Sequence, residues 1–257
     1  MGLVVSIHSY RGGTGKSNLT ANLAASAGLM GKRVGVIDTD LPSPGTHVLF
    51  GLADRPLTRT LNDYLHGTCG IADAAYAVAP PAVRAAGGDI RLVPASLDAG
   101  DIARVLKDGY DVGRLSDGFG ELIEALRLDV LFVDTHPGMN EETLLSIAVS
   151  DAVVLLLRPD EQDFLGTAVT VEVARRLGAR NLTLVLNKVL MSVDVPALAR
   201  DTEAALGAPV GAVLPQTDDL LRLGSRGLIR MTQPDHLWSK GVAALAAQLL
   251  AAPPAGG

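Results

Sequence analysis

Seven short runs dominated by Val, Ile and Leu punctuate the chain: "LVVSIHS" (3–9), "RVGVID" (33–38), "IRLVPA" (90–95), "DVLFVDT" (129–135), "DAVVLLL" (151–157), "LTLVLNK" (182–188) and "VGAVLP" (210–215). None alternates cleanly between apolar and polar residues, so each reads as a parallel strand covered on both faces. Helical spacing fills the gaps at 16–30, 98–107, 117–127, 141–149, 161–178 and 194–206. Strand alternating with helix predicts an α/β fold: a doubly wound, mostly parallel sheet flanked by helices. No repeat or linker interrupts the pattern, which predicts one domain over residues 1–250 and a disordered tail at 251–257. The irregular stretches 41–59 and 67–89 are expected to be surface excursions.

Composition narrows the class. With 257 residues, 48% of them hydrophobic, the chain can build a full core, and at 4% aromatic content that core must be aliphatic. A net charge of −6 argues against a protein whose whole surface coats nucleic acid. The single cysteine, Cys69, excludes a disulfide framework and a CxxC metal cluster. No signal-peptide pattern and no membrane-spanning run is visible, so a cytoplasmic protein is expected.

In sheets of this kind ligands bind at the carboxyl ends of the strands, and the chemically interesting residues fall there. "SYRGGTGKSN" (9–18) follows the first strand and opens the first helix. Gly12, Gly13 and Gly15 let backbone N–H groups approach phosphate oxygens closely, with Thr14 and Asn18 in the same loop. Lys16 supplies a point charge, and the Ser17 hydroxyl suits Mg²⁺. The strict GxxxxGK[ST] pattern fails at its first glycine, where Tyr10 stands. Asp38 and Asp40 close the second strand, and Asp134 ends the apolar run "LFVD" as a Walker B carboxylate would. Ser17, Asp38 and Asp134 are therefore the candidate Mg²⁺ residues. "LVLNKV" sets Asn187 at a strand end, with Pro215 closing the next strand; Leu190 occupies the place where a guanine-type N-K-x-D has its Asp, which favours ATP over GTP.

The loop with a charged residue before its glycine pair resembles the deviant Walker A loop of the ParA/MinD family of P-loop ATPases, whose usual form is KGGxGK[ST]. Arg11 stands where that family has its first lysine. The resemblance extends over about residues 2–250 and includes a switch I "DTD", a switch II "DTHPG" and the "RPDEQDF" stretch at 158–164. It implies an ATP- and Mg²⁺-dependent switch that dimerises with ATP, hydrolyses it slowly and positions a cargo through a partner protein. Lys16, Asp40 and Arg11 are the implied catalytic residues, Asp40 aligning water and Arg11 reaching the partner subunit's nucleotide. Asn187 is the implied adenine contact. Arg11 has an alternative, pairing with a surface carboxylate, because its planar fork differs from an ammonium.

His136 has no assigned part. The chain closes without Lys or Arg after Lys240, so a membrane anchor of the MinD type is not expected. Arg222, Arg226 and Arg230 lie four apart and would line one face of a helix, a candidate DNA-phosphate patch weighed against pairing with Asp218 and Asp219. Two other functions fit the same core: an ATP-binding scaffold with little turnover, and a metallocentre-maturation ATPase. A tyrosine-kinase relative is disfavoured because the last tyrosine is Tyr110.

Overall fold

A computed structural model describes residues 2–251. All seven expected strands form, as β1 (Leu3–His8), β2 (Arg33–Asp38), β4 (Asp89–Val93), β5 (Val130–Asp134), β6 (Ala152–Leu157), β7 (Leu182–Val189) and β8 (Val210–Pro215), and a two-residue strand β3 (Tyr76–Ala77) adds an edge. The sheet order is β3-β4-β2-β5-β1-β6-β7-β8, with β3 antiparallel to β4 and every other pairing parallel. This is the doubly wound architecture expected. The order reverses about β1, so the loop after β1 lies at the switch point, where ligands bind in such sheets.

The first helix, α1 (Lys16–Leu29), is buried on nearly every side, because its Ala, Ser and Gly residues let it pass between the sheet and the helix Leu237–Ala251. A second core lies on the opposite face, built from Ile37, Val93, Leu131 and Val133 of the sheet with Leu115, Phe119 and Leu122 of the helix Val112–Leu126. Helix Leu237–Ala251 buries Trp238, Val242, Leu245 and Leu249, as expected of a packing helix. The expected disordered tail lies, but for Ala251, outside the described residues.

Two expectations change. The stretches 41–59 and 67–89 are more than surface excursions. Leu41, Leu49, Leu52, Ile71, Ala74 and Val83 are all buried; Leu49 and Val83 lie on short helices at Thr46–Leu49 and Pro81–Ala85, Ile71 and Ala74 on a single helical turn at Ile71–Ala74, and Leu41 and Leu52 in the connecting chain. Each of these turns spans only four or five residues, too short to leave a periodic signal. The three arginines also do not share a helix face. The helix Asp218–Leu223 stops at Gly224 (φ 53°), Ser225 follows in the same left-handed region, and a separate turn, Ile229–Thr232, carries Arg230. Arg222 instead faces Asp219 at 3.6 Å.

Candidate functional site

The loop between β1 and α1 is held from outside by its carbonyl oxygens. Asn187 Nδ2 donates to the Thr14 carbonyl at 2.8 Å, and Lys188 Nζ donates to the Gly13 carbonyl at 2.7 Å. Helix α1 begins after Gly15, which sits at φ 102° with no side-chain cap, and a Cβ there would lie 2.7 Å from Asn187 Nδ2. Among the described residues the N–H groups of Gly15, Lys16, Ser17 and Asn18 donate to no protein acceptor. An uncapped helix start with outward-tied carbonyls is an anion cradle. Lys16 is buried beside it.

Two carboxylates stand next to this cradle. Asp38 and Asp134 are register partners on the adjacent parallel strands β2 and β5, and both are fully buried. Burial first, and then the charge of Asp38, pushes Asp134 up to about 7, against the pull of Lys16 and Ser17. Asp134 also accepts from Thr20 Oγ1 at 3.3 Å. A desolvated anionic pair beside a hydroxyl is the donor set a hard divalent cation suits, so Mg²⁺ fits Ser17 and Asp134. Asp38 is more heavily engaged. Its Oδ2 accepts from Gly45 N, Thr46 N and Thr46 Oγ1 at 2.8–3.1 Å, and its Oδ1 accepts from Asp40 N at 3.2 Å. Those bonds make Asp38 the clasp of the loop that carries Asp40.

A cavity of about 410 Å³ adjoins the cradle, lined by Gly13, Asn18, Asn187, Pro215, Thr217 and Leu221 among others. The residues expected from sequence for the base thus converge on one hollow. Asn187 is nonetheless committed within the protein. Besides Thr14, its Oδ1 accepts from Trp238 Nε1 at 3.3 Å. One N–H of the amide stays available.

Arg11 points away from its own cradle. Its Nη1 donates to Gln162 Oε1 at 2.5 Å and lies 3.6 Å from Asp163 and 3.8 Å from Asp160. Asp163 is itself gripped by Arg158 at 3.0 Å; burial opposes its charge, but the Arg158 bonds outweigh burial and hold it below the usual carboxylate range. Tyr10, in the place of the missing glycine, packs against the helix Glu161–Arg176 at Gly166, where a Cβ would come within 2.0 Å of its ring. Cys69 is partly exposed next to Asp63 and belongs to no metal-holding cluster among the described residues.

Sequence reasoning passed over His8. It is fully buried at the end of β1, and its Nδ1 lies 2.8 Å from Thr135 Oγ1. The Thr135 hydroxyl donates to the Ile7 carbonyl, so His8 Nδ1 carries the proton and Nε2 is bare, without a partner. Burial first, then the charge of Lys16, lowers His8 to about 3. Its signal in sequence was only position: an imidazole at the last residue of a buried strand, directly before a phosphate loop.

A doubly wound sheet with an uncapped Gly-Lys-Ser helix start at its switch point and a Walker B carboxylate beside it defines a P-loop nucleotide-binding protein. Comparison with known proteins narrows that class. Residues 5–230 match the CobQ/CobB/MinD/ParA nucleotide binding domain, and the chain belongs to that family. An uncharacterized ATP-binding protein of Methanocaldococcus jannaschii is 26% identical over 98% of this chain and 89% of its own length. The antiactivator FleN of Pseudomonas aeruginosa is 30% identical over 60% of this chain, which is half of FleN. The septum site-determining protein MinD of Pyrococcus horikoshii, solved with Mg-ADP, superposes with a TM-score of 0.79 at 22% identity, covering 97% of this chain and 96% of MinD. Among the described residues no helix is long and apolar enough to cross a membrane.

Proposed function

We propose that the chain is an ATP-hydrolysing switch whose Mg-ATP form dimerises and recruits a partner protein, through which it positions or partitions a cargo, and whose hydrolysis resets it. The observation that carries the reading is the continuity of three parts: free N–H groups at Gly15–Asn18, the buried carboxylates at the ends of β2 and β5, and the base-sized hollow beside Asn187 and Pro215.

The loop amides and Lys16 hold the β- and γ-phosphates. Ser17 Oγ and Asp134 hold Mg²⁺, which when bound neutralises charge developing on the phosphoryl oxygens. Asp40 accepts from the attacking water as its oxygen bonds to the γ-phosphorus and the β–γ bridging bond breaks, leaving ADP and phosphate. Arg11 has a part only across a dimer. Its present partners, Gln162, Asp160 and Asp163, lie on its own chain, so engagement of a second subunit's nucleotide requires leaving them. Nothing in the helix Leu237–Ala251 favours a membrane-bound form, since its apolar face is already packed against α1 and β8.

Mass by light scattering in Mg-ATP, in Mg-ADP and without nucleotide tests the reading on the wild type and Arg11→Ala. A dimer with ATP alone, lost in the variant, is the expected result. A monomer throughout, or a dimer indifferent to nucleotide, refutes the switch and leaves an ATP-binding scaffold.

A further inference from the structure

The loops after β2 and β5 leave the sheet side by side, because Asp38 and Asp134 are register partners. Two residues beyond each, Asp40 and His136 meet: His136 Nδ1 lies 2.6 Å from Asp40 Oδ1. A carboxylate cannot donate, so the Nδ1–H belongs to the histidine. The same Oδ1 also accepts from Ser43 N at 3.2 Å, while Oδ2 has no partner among the described residues.

Behind the ring, the His136 carbonyl accepts from Thr143 Oγ1 at 3.2 Å, and Thr143 N donates to the Asn140 side chain that caps the helix Glu141–Ala148. The next residue, Pro137, comes close to the phosphate loop, its Cγ 3.9 Å from where a Cβ on Gly12 would stand. The backbone behind the ring is therefore tied to a helix start, and the ring shares with Ser43 N the hold on one oxygen of Asp40.

We propose that His136 is a positioning residue for hydrolysis: it holds one oxygen of Asp40 so that the other, Oδ2, faces the attacking water. The inference rests on the ATPase reading above. It makes the water-aligning group depend on both loops at once, since Asp40 on one is held by His136 on the other. Positioning of this kind acts on the rate and leaves ground-state binding nearly untouched.

The test is steady-state ATP hydrolysis at saturating Mg-ATP, paired with the affinity for a non-hydrolysable ATP analogue. His136→Ala should lower kcat on the order of tenfold while analogue affinity stays within about twofold. His136→Asn places an amide N–H where Nδ1–H stands and should recover most of the rate. His136→Gln places its amide where Nε2 stands and should not. An alanine variant with wild-type kcat, or Asn and Gln variants that behave alike, overturns the proposal while leaving the ATPase reading intact.

Histidine ¹⁵N spectra provide a readout independent of turnover, and its first arm needs only the wild type. The wild-type His136 should carry its proton on Nδ1, and Asp40→Ala should shift that resonance. An Nδ1 without a proton overturns the proposal. A wild type that hydrolyses no ATP overturns the reading and the proposal together.

Discussion

His8 gives the site a measurable dependence on acidity. Its Nδ1 proton is committed to Thr135, so protonation must occur at the bare Nε2, in a fully buried place close to Lys16. The folded protein therefore resists the charge down to about pH 3, whereas the unfolded chain accepts it near 6.5. For a histidine lowered on folding, the contribution to stability is present above the unfolded value and is lost as pH falls toward the folded one. At pH 5 about 97% of unfolded chains and about 1% of folded ones carry the proton, and the imbalance accumulated between pH 7.5 and pH 5 is about 2 kcal/mol.

That figure is set by the unfolded value, because the folded group is already neutral throughout the interval. Asp134 titrates in the opposite sense over part of this range, so the wild-type profile alone does not isolate His8. The comparison with His8→Asn does, since asparagine keeps an N–H for Thr135 and cannot titrate. Urea unfolding followed by the emission of Trp238, the one tryptophan, should show wild type losing about 2 kcal/mol more than the variant between the two pH values. Profiles parallel to within about 0.5 kcal/mol would refute the placement of a bare, unpartnered Nε2 at the buried end of β1.

Two further outcomes follow from the same geometry. Asp134 is raised by burial and by Asp38, so its ionised form costs the nucleotide-free protein stability as pH climbs from about 4 through about 7. Asp134→Asn should therefore melt higher than wild type at pH 8, on the order of 5 °C, with the gap narrowing as pH falls toward about 4 and the stabilisation by Mg-ATP lost; a lower melting point at pH 8 would count against the carboxylate pair. Gly166→Ala would drive a methyl into the Tyr10 ring and, through Tyr10, move the loop, so affinity for a fluorescent ATP analogue should fall about tenfold or more, with unchanged affinity showing that the ring has somewhere else to go.

The sheet was legible because each buried parallel strand writes itself as a continuous aliphatic run, and all seven such runs are strands. Strand β3 escaped notice because two residues, Tyr76 and Ala77, leave no pattern. The phosphate loop was legible for a different reason: Gly13, Gly15, Lys16 and Ser17 act within a few residues of one another, so spacing alone describes the cradle. What stayed hidden are contacts made across long sequence separations. Nothing near Arg11 announces Gln162, nothing near Tyr10 announces Gly166, and the Asp40–His136 bond joins residues whose loops meet only because β2 and β5 are neighbours. The arginines at 222, 226 and 230 show the converse error, in which a regular spacing suggests one helix face until Gly224 and Ser225 turn the chain.

Helix α1 has a consequence for how occupancy of the cradle is felt elsewhere. Its first turn carries the free N–H groups, and its length is enclosed by the sheet, the turn Ile229–Thr232 and the helix Leu237–Ala251, with Asn22 accepting from the Arg230 main chain at 2.9 Å. A helix enclosed on nearly every side along its length opens together with its neighbours. A ligand that steadies its start therefore slows amide exchange along its whole length and in the helix packed over it, joining the nucleotide and the far layer of the fold into one unfolding unit.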